Sequence, residues 1–161
     1  MKRTLVVLMV IFVTCASAGA APKQQVNVVH PGLFELGLYL GEPTGLSAKY
    51  WINRSNAIEG VAAWAFSNGF LVVAADYLFN FPDIVKIEGE TFPLYFGAGA
   101  IMRVDMGAGG GISVGARFPL GVLYVFRGVP LEISLELVPG LYLFPDTAFL
   151  AMGGIGIRYC F

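Results

Sequence analysis

The stretch Gly153-Gly154-Ile155-Gly156-Ile157-Arg158-Tyr159-Cys160-Phe161 alternates in character residue by residue. Stepping back from Phe161 in twos gives Tyr159, Ile157, Ile155 and Gly153, all apolar or small. The other parity, Cys160, Arg158, Gly156 and Gly154, carries the charge. Successive side chains of a strand point to opposite faces, so this is a strand with one apolar face and one face holding Arg158. Taken alone, it fits a surface strand of a soluble sheet equally well.

The remaining chain repeats the pattern. Seven further apolar runs precede the last one, which covers Phe149 to Phe161. They are Leu33 to Leu40, Gly45 to Ile52, Ala57 to Phe66, Phe70 to Phe79, Phe92 to Val104, Gly111 to about Phe126, and Leu131 to Phe144. Turn signals separate them: Gly41-Glu-Pro-Thr44, Asn53-Arg-Ser-Asn56, Ser67-Asn-Gly69 and the Gly-rich Asp105 to Gly110. A longer connection is predicted over Asn80 to Thr91. Connections this short favour antiparallel neighbours. Pro119 and Pro139 fall inside strands that need hydrogen bonds on both edges, and bulges or the edge of the membrane zone are expected there.

The placement of charge decides which face is enclosed. In the seventh run Leu131, Ile133, Leu135, Leu137, Leu141 and Leu143 oppose Glu132, Ser134, Glu136 and Tyr142. One consistent facing sends Glu35, Lys49, Glu59, Asp76, Arg103, Arg117, Glu132, Glu136 and Arg158 inward, five acids against four bases. Gly97, Gly99, Gly115, Gly154 and Gly156 share that parity and leave room for long side chains. A soluble barrel buries its apolar face. Here the apolar face is the continuous outer one, which is the membrane arrangement. A basic residue on a lipid-facing wall costs about 2–4 kcal/mol near the midplane, so four of them belong inside. In an eight-stranded lumen only wide enough for side chains, they are expected to form an ion-pair network.

Composition agrees. Hydrophobic residues are 57% and charged residues 13%, against about 45–50% and 25% in soluble domains. The mean hydropathy is +0.72. After the N-terminus no run of about 18 residues is free of charge and turn residues, as a membrane helix requires. With a net charge of −1 there is no basic footprint for nucleic acid. The length suits one domain. Lys2 and Arg3, the apolar Leu5 to Val13, and the small-x-small sites ending at Ala18 and Ala20 have the layout of a cleaved secretory signal peptide. Cys15 offers a lipoprotein alternative, but Thr14 is a poor residue before a lipidated cysteine. The expected organisation is a signal peptide over 1–20, a short segment over 21–32 and a barrel over 33–161. Cleavage would leave Cys160 as the sole cysteine, so no internal disulfide is expected.

From its N-terminal layout to the terminal Phe161, the chain resembles the small eight-stranded outer-membrane proteins of the OmpA-transmembrane and OmpX type. The segment Gly41-Glu-Pro-Thr-Gly-Leu-Ser-Ala-Lys-Tyr-Trp51 is similar to a motif of an uncharacterised group of such barrels. The fold expected is all-β, an eight-stranded antiparallel up-and-down transmembrane barrel. The resemblance implies a bacterial outer-membrane location, with outer-membrane lipid around it. It also implies insertion by the barrel assembly machinery through the last strand, with Tyr159 and Phe161 as the assembly signal. A monomer is expected.

No enzymatic site is expected. Some barrels of this size modify lipids with a His, a Ser and an acid, but the one histidine, His30, precedes the first strand. Ser47, Ser113 and Ser134 share the inward parity without a His partner. Glu132 and Glu136 stand roughly 13 Å apart along one strand face, too far for a two-carboxylate glycosidase. Gly107 to Gly111 lacks the Lys-Ser/Thr and helix of a phosphate loop. No metal-ligand cluster appears, and no cofactor is expected. Trp51 and Trp64, with the many Tyr and Phe, are expected in interfacial girdles. The function expected is a structural or surface-interaction role with a charge-plugged lumen. The alternative is a narrow channel or a lipid-handling barrel.

Overall fold

A computed structural model describes residues 30–65, 69–87, 90–107, 110–126 and 128–161. The expected signal peptide, Cys15 and most of the segment before the first strand lie outside the described residues. The strands are β1 (Phe34–Glu42), β2 (Thr44–Trp51), β3 (Asn56–Ala65), β4 (Phe70–Ile87), β5 (Glu90–Asp105), β6 (Ile112–Arg117), β7 (Leu120–Val125), β8 (Leu131–Phe144) and β9 (Ala148–Cys160). Every pairing is antiparallel. β6 and β7 follow one another between β5 and β8, and β1 pairs with β9, so the sheet closes as a ring of eight. Closure removes both sheet edges, which an all-β chain would otherwise expose.

Alternation sets the facing throughout. On β1 Leu36 and Leu38 face out and are 45% and 43% exposed, while Glu35 and Tyr39, which flank them, are buried. The same division holds on β8, where Leu135 and Leu137 face out and Glu132, Ser134 and Glu136 are enclosed. At the β3–β4 turn Gly69 has φ +65°, a left-handed conformation that glycine adopts without a Cβ penalty.

Two expectations about the strands need correction. Residues 80–91 are not a long loop. β4 and β5 run on as a hairpin, pairing Val85 with Phe92 and Ile87 with Glu90 past an irregularity between Phe81 and Val85. Aromatic contacts carry this extension, because Phe81 stacks on Phe96 and Phe92 stacks on Tyr124. The prolines do not mark bulges either. Arg117 faces Gly140 and Leu120 faces Leu137, so the register passes unchanged across Phe118 and Pro119. Phe118 N–H donates to the Pro139 carbonyl and Gly97 N–H to the Pro119 carbonyl, each at 2.8 Å. Each proline therefore forfeits only the bond its own nitrogen would give. The register shift on this side lies elsewhere, between Val114 and Gly115 opposite the end of β8.

Both described ends of the chain lie at one rim, where Phe161 N–H donates to the Phe34 carbonyl at 2.8 Å. The β4–β5 hairpin extends at this terminal rim. At the opposite, far rim, β1 and β2 are separated only by Pro43 and β8 and β9 only by residues 145–147.

Candidate functional site in the barrel interior

The interior is layered. Near the terminal rim Leu33, Trp51, Ala57, Leu78, Tyr95, Leu123 and Cys160 pack as one apolar cluster. Toward the far rim Tyr39, Val61, Ala63, Val72, Ala74, Ile101 and Leu150 form another, with Phe70, Tyr142 and Met152 against it. Between these caps lies a charged layer supplied by seven strands, β1 to β4, β6, β8 and β9.

Arg158 on β9 is its hub. The guanidinium donates from Nε to Ser47 Oγ at 2.7 Å and from Nη1 to Glu132 Oε1 at 2.8 Å and Ser134 Oγ at 2.9 Å. Its Nη2 pairs with Glu59 and lies 3.7 Å from Glu136 Oε1. The five donors of a guanidinium suit such a shared position. Ser47 also donates to Glu59 Oε1 at 2.7 Å. Lys49 on β2 bridges two more acids, 2.6 Å from Glu132 Oε1 and 3.9 Å from Glu35 Oε2. Its ammonium stands 4.9 Å from the Trp51 ring centre and 5.5 Å from that of Tyr95. Arg117 on β6 lies 3.0 Å from Asp76 Oδ1 on β4, an ion pair too poorly aligned to count as a hydrogen bond.

Glycines make the space. A Cβ on Gly156 would stand 2.4 Å from Ser134 Oγ and 2.9 Å from Arg158 Nη1, and one on Gly99 would stand 2.1 Å from Asp76 Oδ1. Both positions lie on the inward parity.

Eight of the nine charged residues placed inside by alternation are buried there: Glu35, Lys49, Glu59, Asp76, Arg117, Glu132, Glu136 and Arg158. Arg103 departs. It sits at the far rim, bound to Asp105 at 2.7 Å with its side chain 34% exposed, and its guanidinium stacks 4.1 Å from the Phe70 ring centre. At the end of β5 solvent and a nearby acid are within reach, so the base need not enter the layer.

Trp51 is also corrected. Its ring belongs to no outer girdle but is buried in the terminal-rim cluster, donating from Nε1 to Glu35 Oε1 at 2.7 Å. The signal was present in the sequence, since Trp51 shares the parity of Ser47 and Lys49. Other aromatics do gather on the outer wall near the terminal rim. Tyr77, Phe79 and Phe96 form one contact series, and Phe34, Phe161 and Tyr159 another. Tyr95, which donates to Glu136 Oε1 at 2.5 Å, is a member of the layer that sequence reasoning missed. Trp51→Phe should cost about 1–3 kcal/mol, because it leaves a buried carboxylate oxygen without its donor. Urea unfolding of the refolded barrel measures it.

The remaining site candidates stay apart from one another. His30 lies before β1 with its ring nitrogen 3.2 Å from the Pro31 carbonyl oxygen. Ser47 and Ser134 are committed to Arg158. Among the described residues no group of three His, Cys, Asp or Glu side chains could hold a metal ion.

No family model matches the sequence, and no curated protein matches it. In shape, however, the chain is similar to the N-terminal β-barrel domain of Pseudomonas aeruginosa OprF. The TM-score is 0.66 at 15% identity, over 83% of this chain and 100% of that domain. The fold is an OmpA-like β-barrel. An identity this low carries the architecture alone.

Proposed function

We propose that the protein is an integral bacterial outer-membrane barrel with a structural or surface-interaction role, and that its lumen is plugged. The observation that carries this is the inverted section: an apolar outer wall around a charged layer closed by apolar caps on both sides. From Leu131 to Leu143 the outward side chains of β8 span roughly 40 Å along the strand at about 3.3 Å per residue, or about 30 Å of height at a tilt of about 40°. That matches a hydrocarbon core of about 30 Å. In water the same wall would be an apolar patch far beyond the few hundred Å² that soluble proteins tolerate. The aromatic series near the terminal rim suit an interface with lipid headgroups. Insertion would proceed through β9, with Tyr159 and Phe161 presented at its end. The composition of the interior supports a role without catalysis, since its buried serines are engaged with Arg158 and its acids face Arg158, Lys49 and Arg117.

The test is electrical. Purified, refolded protein in planar bilayers is expected to give no stable, large-conductance openings. Steady open channels in the wild type would overturn the plug and favour a narrow channel. Heat-modifiable gel mobility of the same sample reports that the barrel is folded when the recording is made.

A further inference from the structure

The interior is short of positive charge. Glu35, Glu59, Asp76, Glu132 and Glu136 are buried against only Lys49, Arg117 and Arg158, so among the described residues the layer holds two more acids than bases. Arg103 does not make up the difference, because it is bound to Asp105 at the far rim.

The excess has a location. Lys49 lies between Glu35 and Glu132, and Arg158 reaches Glu132, Glu59 and Glu136. Toward the far cap, Asp76 has Arg117 at 3.0 Å and is close enough to Glu59 and Glu136 to be repelled by both. Tyr39 feels the charges of Glu136 and Arg117. In this region both Asp76 carboxylate oxygens, Glu136 Oε2 and the Tyr39 hydroxyl are buried and have no hydrogen-bond partner, and the same holds for Nε and Nη1 of Arg117 beside Asp76. Tyr39, Asp76 and Glu136 are 1%, 3% and 5% exposed. Buried acceptors without donors are costly, and so is uncompensated charge away from bulk water. The far cap of Val61, Ala63, Val72, Ala74, Ile101 and Leu150 separates them from solvent.

We propose that Asp76, Glu136 and the Tyr39 hydroxyl form a binding site for a small monovalent cation taken from solvent, an alkali ion or a proton. The donors are all hard oxygens. Among the described residues no three carboxylates gather as a metal-holding group. One bound cation removes half of the charge excess, and it would give a partner to oxygens that are among the buried atoms without one. The neighbouring groups that set its affinity are Glu59, Arg117, Arg158 and Tyr95.

This inference rests on the plugged interior proposed above, and its test is separable from that of the plug. Refolded full-length wild type in lipid vesicles is unfolded with urea at constant ionic strength in NaCl, KCl or tetramethylammonium chloride, from mildly acidic to mildly alkaline pH. A cation bound only by the folded state slows unfolding, and a change of about tenfold with cation identity or with pH is expected. Dependence on the metal ion identifies an alkali ion, and dependence on pH alone identifies a proton. The Asp76→Asn/Glu136→Gln double variant, which removes the excess charge, should lose the dependence. Infrared spectra of the wild type need no variant. They should show carboxyl bands that move when sodium replaces tetramethylammonium or when pH changes. Unfolding rates and carboxyl bands indifferent to both would overturn the site, as would a dependence that survives in the double variant. Open channels would instead overturn the plug itself, a different result from ion-indifferent unfolding of a non-conducting barrel.

Discussion

Arg158→Met should leave the refolded barrel less stable by about 3–5 kcal/mol, or prevent folding, because it breaks a buried ion-pair network by removing one partner. The side chain fills its position with aliphatic volume, so the loss is electrostatic rather than a cavity. Glu59 and Glu132 would each lose a direct guanidinium contact, and Ser47 and Ser134 would lose a donor. Lys49 already serves Glu132 and Glu35 and is the other cation of this half of the layer. The matched control is Arg103→Met. That pair is one-third exposed at the rim, and exposed pairs contribute about 0–1 kcal/mol. Urea unfolding in vesicles, read by tryptophan fluorescence and gel mobility, compares the two. Equal losses in both variants would mean that the buried layer contributes no more than a surface pair.

Alternation with a period of two made the facing legible, and with it the enclosure of Arg158, Glu132 and Lys49. What it could not supply was who meets whom. Lys49 and Glu132 are 83 residues apart and meet across the lumen at 2.6 Å, a contact set by strand tilt and stagger rather than by any local pattern. The charge excess was hidden for a related reason. Arg103 has the inward parity of Arg117, but its height at the end of β5 places it beside Asp105 and solvent, and parity carries no information about height. Trp51 was misplaced by composition, since aromatic residues of membrane barrels are expected at girdles, although its parity with Ser47 and Lys49 pointed inward. The extension of β4 past Asn80 was obscured by Pro82 and by the irregularity between Phe81 and Val85, which interrupt the alternation that identifies a strand.

Gly37→Ala should be the most damaging of the single-methyl changes on β1, with an expected loss of about 3 kcal/mol or more, above the usual range for overpacking. Gly37 is paired on both sides, with Ser47 of β2 and with Arg158 of β9. A Cβ there would stand 1.9 Å from the Ile157 carbonyl oxygen and 2.6 Å from the Arg158 Cα. Both are backbone atoms, so no rotamer change can make room. Relief requires β1 and β9 to separate, and their pairing is the one that closes the ring. The displaced residue is Arg158 itself, so a shift at this position also moves the hub of the charged layer. Gly60→Ala is the control: it lies on β3 with nothing nearer to its Cβ than the Ala74 carbonyl oxygen at 4.0 Å. There the added methyl should be neutral or slightly stabilising, because it reduces the freedom of the unfolded chain. The folded fraction after refolding and the urea midpoint decide between them. If Gly37→Ala assembles and resists urea as Gly60→Ala does, the β1–β9 closure has slack, and the glycine is not what permits its close approach.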